Sequence, residues 1–138
     1  MPDVTGLLET SLYVENVQRS VEFYQTIFGF PLLLNEERIA AFRVKDGEVL
    51  LLFKIGGSVN PMSSSEGTIP PHDGIGMTHS AIAIAAADLG EWRTWLDEHH
   101  LPIESTINWD SGGISIYFRD PDRHLLELAT PSLWGMAW

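Results

Sequence analysis

SIYFRDPDRHLLELATP, residues 115–131, reads as two strands joined by a tight turn, with one acid placed oddly. Ser115 to Arg119 is rich in β-branched and aromatic residues, Asp120-Pro121-Asp122 is a turn with Pro at its second position, and Leu125 to Ala129 is strand-like again. Glu127 interrupts that second run. A carboxylate flanked by Leu125, Leu126 and Leu128 is costly to bury unless something positive meets it.

Working back from this hairpin, the pattern of elements occurs twice. Leu7 to Val14 alternates as a strand, and Asn16 can cap a helix whose apolar positions Val17, Val21, Tyr24 and Phe28 recur at helical spacing. Gly29 suits a left-handed cap, Pro31 prevents continuation, and Leu32 to Leu34, Ile39 to Val44 and Val49 to Phe53 follow as strands. In the second half Thr78 to Ile84 is a strand, and Asp88 with Glu91 resembles a capping box before a helix striped by Leu89, Trp92 and Leu96. Ile103 to Ile107, Ile114 to Arg119 and Leu125 to Ala129 complete the repeat. The predicted fold is α+β, two tandem βαβββ modules forming a curved mixed sheet around a cleft. Module 1 spans residues 6–56, a connecting loop 57–76, module 2 residues 77–131 and a tail 132–138, all within a single domain of residues 1–138. The loop is rich in Gly, Ser and Pro. Its His72 follows a double proline, and a solvated loop tip is the expectation for it.

Overlaying the copies tests the duplication. Glu9 falls on His79, 70 residues on, and Val49 to Leu52 fall on Leu125 to Leu128, 76 residues on. Four equivalent positions thus carry Glu9, Leu51, His79 and Glu127, and three of these can bind a divalent cation. Imidazole and carboxylate together suit Mn, Fe, Co, Ni or Zn, and three protein ligands leave places for water or substrate.

Composition narrows the partners. Eight Lys and Arg against nineteen Asp and Glu give a formal charge of -11, which repels phosphate backbones and anionic membrane surfaces, so nucleic acid and membrane are not expected as partners. The absence of cysteine excludes disulfides and thiolate metal sites. No apolar run approaches the roughly 18 residues of a membrane span, and a cytoplasmic location is the default expectation.

Three segments, LETSLYVENVQRSVEFYQTIFGF at residues 8–30, THSAIAI at 78–84 and YFRDPDRHLLEL at 117–128, resemble the vicinal oxygen chelate superfamily. That superfamily includes glyoxalase I, fosfomycin and bleomycin resistance proteins and extradiol dioxygenases. The resemblance implies metal ligands at Glu9, His79 and Glu127, and substrate-contacting hydroxyls at Ser111 and Tyr117. It also implies a homodimer whose sites are shared between chains, with Glu9 of one chain joining His79 and Glu127 of its partner. Leu51 occupies the place of a fourth ligand in glyoxalase I, and Arg123 stands where Gly is usual after the D-P-D turn. The function expected is that of a metal-dependent enzyme acting on a small-molecule substrate by lyase, isomerase or transferase chemistry. The ion would chelate two substrate oxygens and stabilise an enolate or oxyanion. Glu9, Tyr117 and Ser111 are the catalytic candidates, Glu9 as a base if it leaves the metal. The alternative is a metal-free module that sequesters a drug, for which the acidic charge and the tail tryptophans Trp134 and Trp138 are the motive.

Overall fold

In the computed structural model, which describes residues 1–135, the chain divides into two compact units, Met1–Gly76 and Met77–Trp138. Trp138, one of the tail tryptophans behind the drug-binding alternative, lies outside the described residues.

Unit 1 runs β1 (Glu9–Val14), α1 (Val17–Phe28), β2 (Leu32–Asn35), β3 (Ile39–Lys45) and β4 (Glu48–Lys54). Its sheet has the order β1-β4-β3-β2, with β1 parallel to β4 and the other pairs antiparallel. Asn16 accepts the Arg19 amide at 3.0 Å, and Gly29 closes the helix at φ 66°, as the sequence predicts. The helix buries Val17, Val21, Tyr24 and Ile27 against β3 and β4. Tyr24 and Phe42 meet with ring centroids 6.1 Å apart in a core that includes Leu12, Val14 and Leu52. Each such side chain, taken fully from water, contributes about 1.5 to 3 kcal/mol. Because Leu12 and Val14 face the helix, alternation puts Glu9, Ser11 and Tyr13 on the opposite face.

The connector departs from the expected structureless loop. It contains a short hairpin, β5 (Met62–Ser64) with β6 (Gly67–Ile69), whose turn is held where Ser64 Oγ accepts the Glu66 amide at 3.1 Å. His72 is also not a solvated tip. Its Nδ1 lies 2.7 Å from the Tyr13 hydroxyl and its ring stands edge-on to Phe53, centroids 4.5 Å apart. Asp73 accepts the Gly56 amide at 3.0 Å, and Gly74 lies so close to the Tyr13 ring that a Cβ would sit 2.6 Å from it. The double proline delivers His72 to the sheet, because the contacts on either side leave the segment little freedom.

Unit 2 repeats the plan: β7 (His79–Ala83), α2 (Leu89–Glu98), β8 (Ser105–Asn108), β9 (Ile114–Arg119) and β10 (Leu125–Ala129), in the sheet order β7-β10-β9-β8. The register repeats as well as the order. Glu9 stands opposite Val49 and His79 opposite Leu125, while Ser11 is opposite Leu51 and Ala81 opposite Glu127. The capping box expected at Asp88 does not form. A 3-10 turn, Ala86–Asp88, runs straight into α2, and with φ -88° and ψ -3° Asp88 is already helical, so its side chain makes no capping bond. Ile116, Phe118, Leu126 and Leu128 are buried on one face of the sheet, which leaves Ser115, Tyr117, Arg119 and Glu127 on the other.

Candidate metal centre

The turn between β9 and β10 is built around Asp120. This buried carboxylate accepts the amides of Asp122 at 2.9 Å and His124 at 2.8 Å through one oxygen, which folds the chain back after Pro121. Arg123 adopts φ 66°, the left-handed conformation for which Gly is the usual residue. His124 is buried, and its Nδ1 receives the Thr78 amide at 3.1 Å, tying the turn to the start of β7. Leu125 continues the same seam, its amide donating to the Thr78 carbonyl at 2.8 Å. The turn therefore places His79 and Glu127 on adjacent parallel strands.

There the two side chains converge, His79 Nε2 lying 3.1 Å from Glu127 Oε2. Glu127 is 8% exposed at its side chain and His79 half exposed, so the carboxylate is sheltered and the imidazole is open to a third party. The other ring nitrogen, Nδ1, lies 3.1 Å from the Leu125 carbonyl oxygen. A carbonyl only accepts, so Nδ1 carries the hydrogen and Nε2 of a neutral ring presents a lone pair. That lone pair faces a carboxylate oxygen, and only a cation between or beside them, a proton or a metal, makes the contact favourable. Anchoring of the remote imidazole N–H by a backbone carbonyl is also how metal-binding histidines are held. The donor set fits a borderline divalent ion.

Tyr117 stands opposite Glu127 across the β9–β10 pair, and its ring lies beside that of His79 with centroids 6.3 Å apart. Burial pushes the Tyr117 hydroxyl above its ordinary value, the Ser115 hydroxyl works in the other direction, and the Glu127 carboxylate raises it further. Tyr117 is thus a neutral donor. Arg119, next on this face, is engaged by Glu104 through two bonds of 3.1 Å and by the Arg123 carbonyl at 3.0 Å. The Arg119 guanidinium holds the Glu104 carboxyl below its ordinary value. This is the surface acid pairing expected of a lone strand arginine.

The remaining predicted residues have partners or positions of their own. Ser111 donates to the Leu133 carbonyl at 3.1 Å and fastens the β8–β9 loop to the tail. Glu9 is exposed at the start of β1 in unit 1, at the position equivalent to His79. Leu51 holds the position equivalent to Glu127. Among the described residues no three His, Asp or Glu side chains gather as a ready metal-holding group, and His79 with Glu127 is the pair that forms. Sequence reasoning missed Ser115. Its signal was the two-residue spacing to Tyr117 on a strand, which puts both hydroxyls on one face.

Paired βαβββ modules with a His and a Glu on adjacent strands define a class, and the chain belongs to the glyoxalase/bleomycin resistance protein/dioxygenase superfamily, whose family model matches residues 6–128. Among its relatives, the metallothiol transferase FosB of Staphylococcus epidermidis is 30% identical over 131 residues, covering 94% of this chain and 86% of the relative. The solved lactoylglutathione lyase from Agrobacterium tumefaciens superposes with a TM-score of 0.89 at 27% identity, covering 98% of this chain and 100% of that one. A fosfomycin resistance protein, FosX from Listeria monocytogenes, described as complexed with Mn(II) and sulfate, shares the fold. Its TM-score is 0.67 at 20% identity, with 93% and 91% of the two chains covered.

Proposed function

We propose that the protein is a metal-dependent enzyme in which His79, Glu127 and Glu9 hold a divalent cation, with Glu9 supplied by the second copy in a homodimer. The observation that carries this is the 3.1 Å approach of His79 Nε2 to Glu127 Oε2 while Nδ1 is committed to the Leu125 carbonyl. The equivalence of Glu9 and His79 in the repeated register supports the third ligand. A bound cation would polarise two oxygens of a small substrate and stabilise a developing enolate or oxyanion. The chain's own groups do the rest: His79 and Glu127 orient the site, and Tyr117, kept protonated, donates to an oxygen that gains charge. Glu9, on an exposed strand end, is the ligand carboxylate that acts as base when it leaves the metal. Ser111, exposed in the β8–β9 loop, supplies the second hydroxyl on releasing the Leu133 carbonyl.

Transfer of a thiol to a small oxygen-bearing substrate is the first reaction to test, given the name of the FosB relatives, and Mn(II) the first metal, given the FosX complex. Fosfomycin is the first substrate for the same reason. The comparisons do not favour metal-free drug sequestration. Of the described tryptophans, Trp92 is half-buried on α2, Trp95 packs on His99 with ring centroids 4.0 Å apart, Trp109 is hydrogen-bonded to Ser115, and Trp134 is exposed.

The test is elemental analysis of protein purified without chelator and then incubated with Mn(II), Ni(II) or Zn(II). It is repeated on His79→Ala and Glu127→Ala and paired with a thiol-consumption assay. Stoichiometric metal in the wild type, lost from both variants, is the expected result. No bound metal under any loading condition would sink the proposal.

A further inference from the structure

The two halves share one backbone seam, and unit 2 reinforces it with side chains. In unit 2 the Leu125 amide donates to the Thr78 carbonyl at 2.8 Å, just before β7 begins. In unit 1 the equivalent bond runs from the Val49 amide to the Leu8 carbonyl at 3.0 Å, and β1 pairs with β4 in the register in which β7 pairs with β10. Leu8, at the place of Thr78, has no polar side chain to contribute and is 66% exposed. Glu48, at the place of His124, pairs with Lys45 at 3.5 Å.

Unit 2 adds a clasp. The His124 ring, 1% exposed, takes both donors of Thr78 on one nitrogen, the amide 3.1 Å and the hydroxyl 2.9 Å from Nδ1. An amide N–H only donates, so Nδ1 carries no hydrogen, the ring is neutral, and the hydroxyl must donate to it as well. His124 is itself held by Asp120: its amide donates to the Asp120 carboxylate at 2.8 Å, and its carbonyl accepts the Asp120 amide at 3.2 Å. Thr78 is thus gripped at its amide, hydroxyl and carbonyl. The residue after Thr78 is His79, and its Nδ1 lies 3.1 Å from the carbonyl of Leu125, the residue after His124.

Burying an imidazole costs free energy that its hydrogen bonds must offset, and unit 1 forms the same strand pairing without one. What distinguishes unit 2 at this place is the pair His79 and Glu127, where unit 1 has Glu9 and Leu51. We propose that His124 is a positioning residue for His79. Its grip on Thr78 fixes where β7 stands along β10, so that His79 Nδ1 meets the Leu125 carbonyl and Nε2 is left to the cation beside Glu127. This rests on the metal-dependent function proposed above and adds to it a residue that touches neither metal nor substrate. Residues that orient a ligating side chain from behind are worth about 10- to 100-fold in metal affinity.

The test compares three variants of the full chain. His124→Leu removes the acceptor, His124→Asn returns a carbonyl oxygen as acceptor in its place, and Thr78→Val removes the hydroxyl while keeping the amide. Zn(II) affinity is read by competition with a chromophoric chelator. Ring-nitrogen NMR of the metal-free protein at about pH 8, where an unperturbed imidazole is neutral, reads which nitrogen of His79 carries the hydrogen. The wild type should carry it on Nδ1. His124→Leu is expected to weaken Zn(II) binding about 10-fold and to spread the His79 hydrogen over both nitrogens. His124→Asn should restore both readings, and Thr78→Val should move both in the same direction by less. A folded His124→Leu with wild-type affinity and tautomer overturns the inference and leaves the metal reading standing. Should His124→Leu fail to fold, wild-type values in Thr78→Val overturn it in the same way. A wild type that takes up no Zn(II), or takes it up undiminished after His79→Ala, overturns the metal reading and this inference with it.

Discussion

Arg123 shows how a single backbone angle records what a sequence position demands. Its φ of 66° lies in the left-handed region, where a side chain other than Gly costs roughly 1 to 2 kcal/mol through contact of Cβ with the following carbonyl. The angle is imposed from both sides. The Arg123 amide returns to the Asp120 carbonyl at 3.0 Å, and the Asp120 carboxylate gathers the amides of Asp122 and His124. The Arg123 carbonyl is used in turn by Arg119, which leans on it while holding Glu104. Arg123→Gly removes the steric cost and returns some of it as greater freedom of the unfolded chain. The expected net is a gain of about 0.5 to 1 kcal/mol, seen as a rise of roughly 2 to 4 °C in Tm by calorimetry. A fall in Tm would mean that the Arg123 side chain holds more than its backbone costs.

At the scale of elements, the β8–β9 loop couples the site to the tail. Gly113 lies against the tail so closely that an added Cβ would sit 2.5 Å from the Leu133 amide nitrogen and 2.6 Å from its Cα and Cβ. Ser111 bonds the Leu133 carbonyl, the Ile114 amide donates to Thr130 Oγ1 at 2.9 Å, and Thr130 is itself buried. Loop and tail can be separated only by losing these together. Gly113→Ala is expected to cost about 1 to 3 kcal/mol in denaturant unfolding, the cost of overpacking against backbone that cannot yield. It should also leave the tail more readily clipped by protease than in the wild type. Unchanged stability and unchanged cleavage would show that the tail gives way freely. The same loop carries Trp109, so this contact also steadies the indole where it donates to Ser115.

For the whole molecule, the repeat makes the proposed sharing of sites between chains open to a direct test. If Glu9 acts in trans, a dimer of one Glu9→Ala chain and one His79→Ala chain holds one intact site and one doubly broken one. Mixing the two variants after unfolding and refolding together should then restore metal to about a quarter of all sites, since random pairing makes about half the dimers mixed. Each variant refolded alone should bind none. If Glu9 acts within its own chain, mixing restores nothing, and elemental analysis separates the two outcomes.

Much of this was legible from residues alone, for reasons of period and cost. Side-chain alternation and helical spacing repeat in the two halves, so the βαβββ plan and its register offsets could be read before any coordinates, and the sheets repeat them. An acid among leucines must meet something positive, and that cost singled out Glu127, which the fold brings against His79. Other features depended on neighbours distant in the chain. Nothing local distinguishes an Asp that caps a helix from one already inside a 3-10 turn, as Asp88 is. Nothing near His72 announces Tyr13 and Phe53, which come from strands far earlier. The hydrogen bond of Trp109 to Ser115 depends on how the β8–β9 loop closes on itself, which no local periodicity marks. The chain by itself determined which residues could carry charge or metal. Tertiary structure alone decided which of their lone pairs face one another, since that is set by strand pairing and by carbonyls, such as that of Leu125, that no sequence pattern marks.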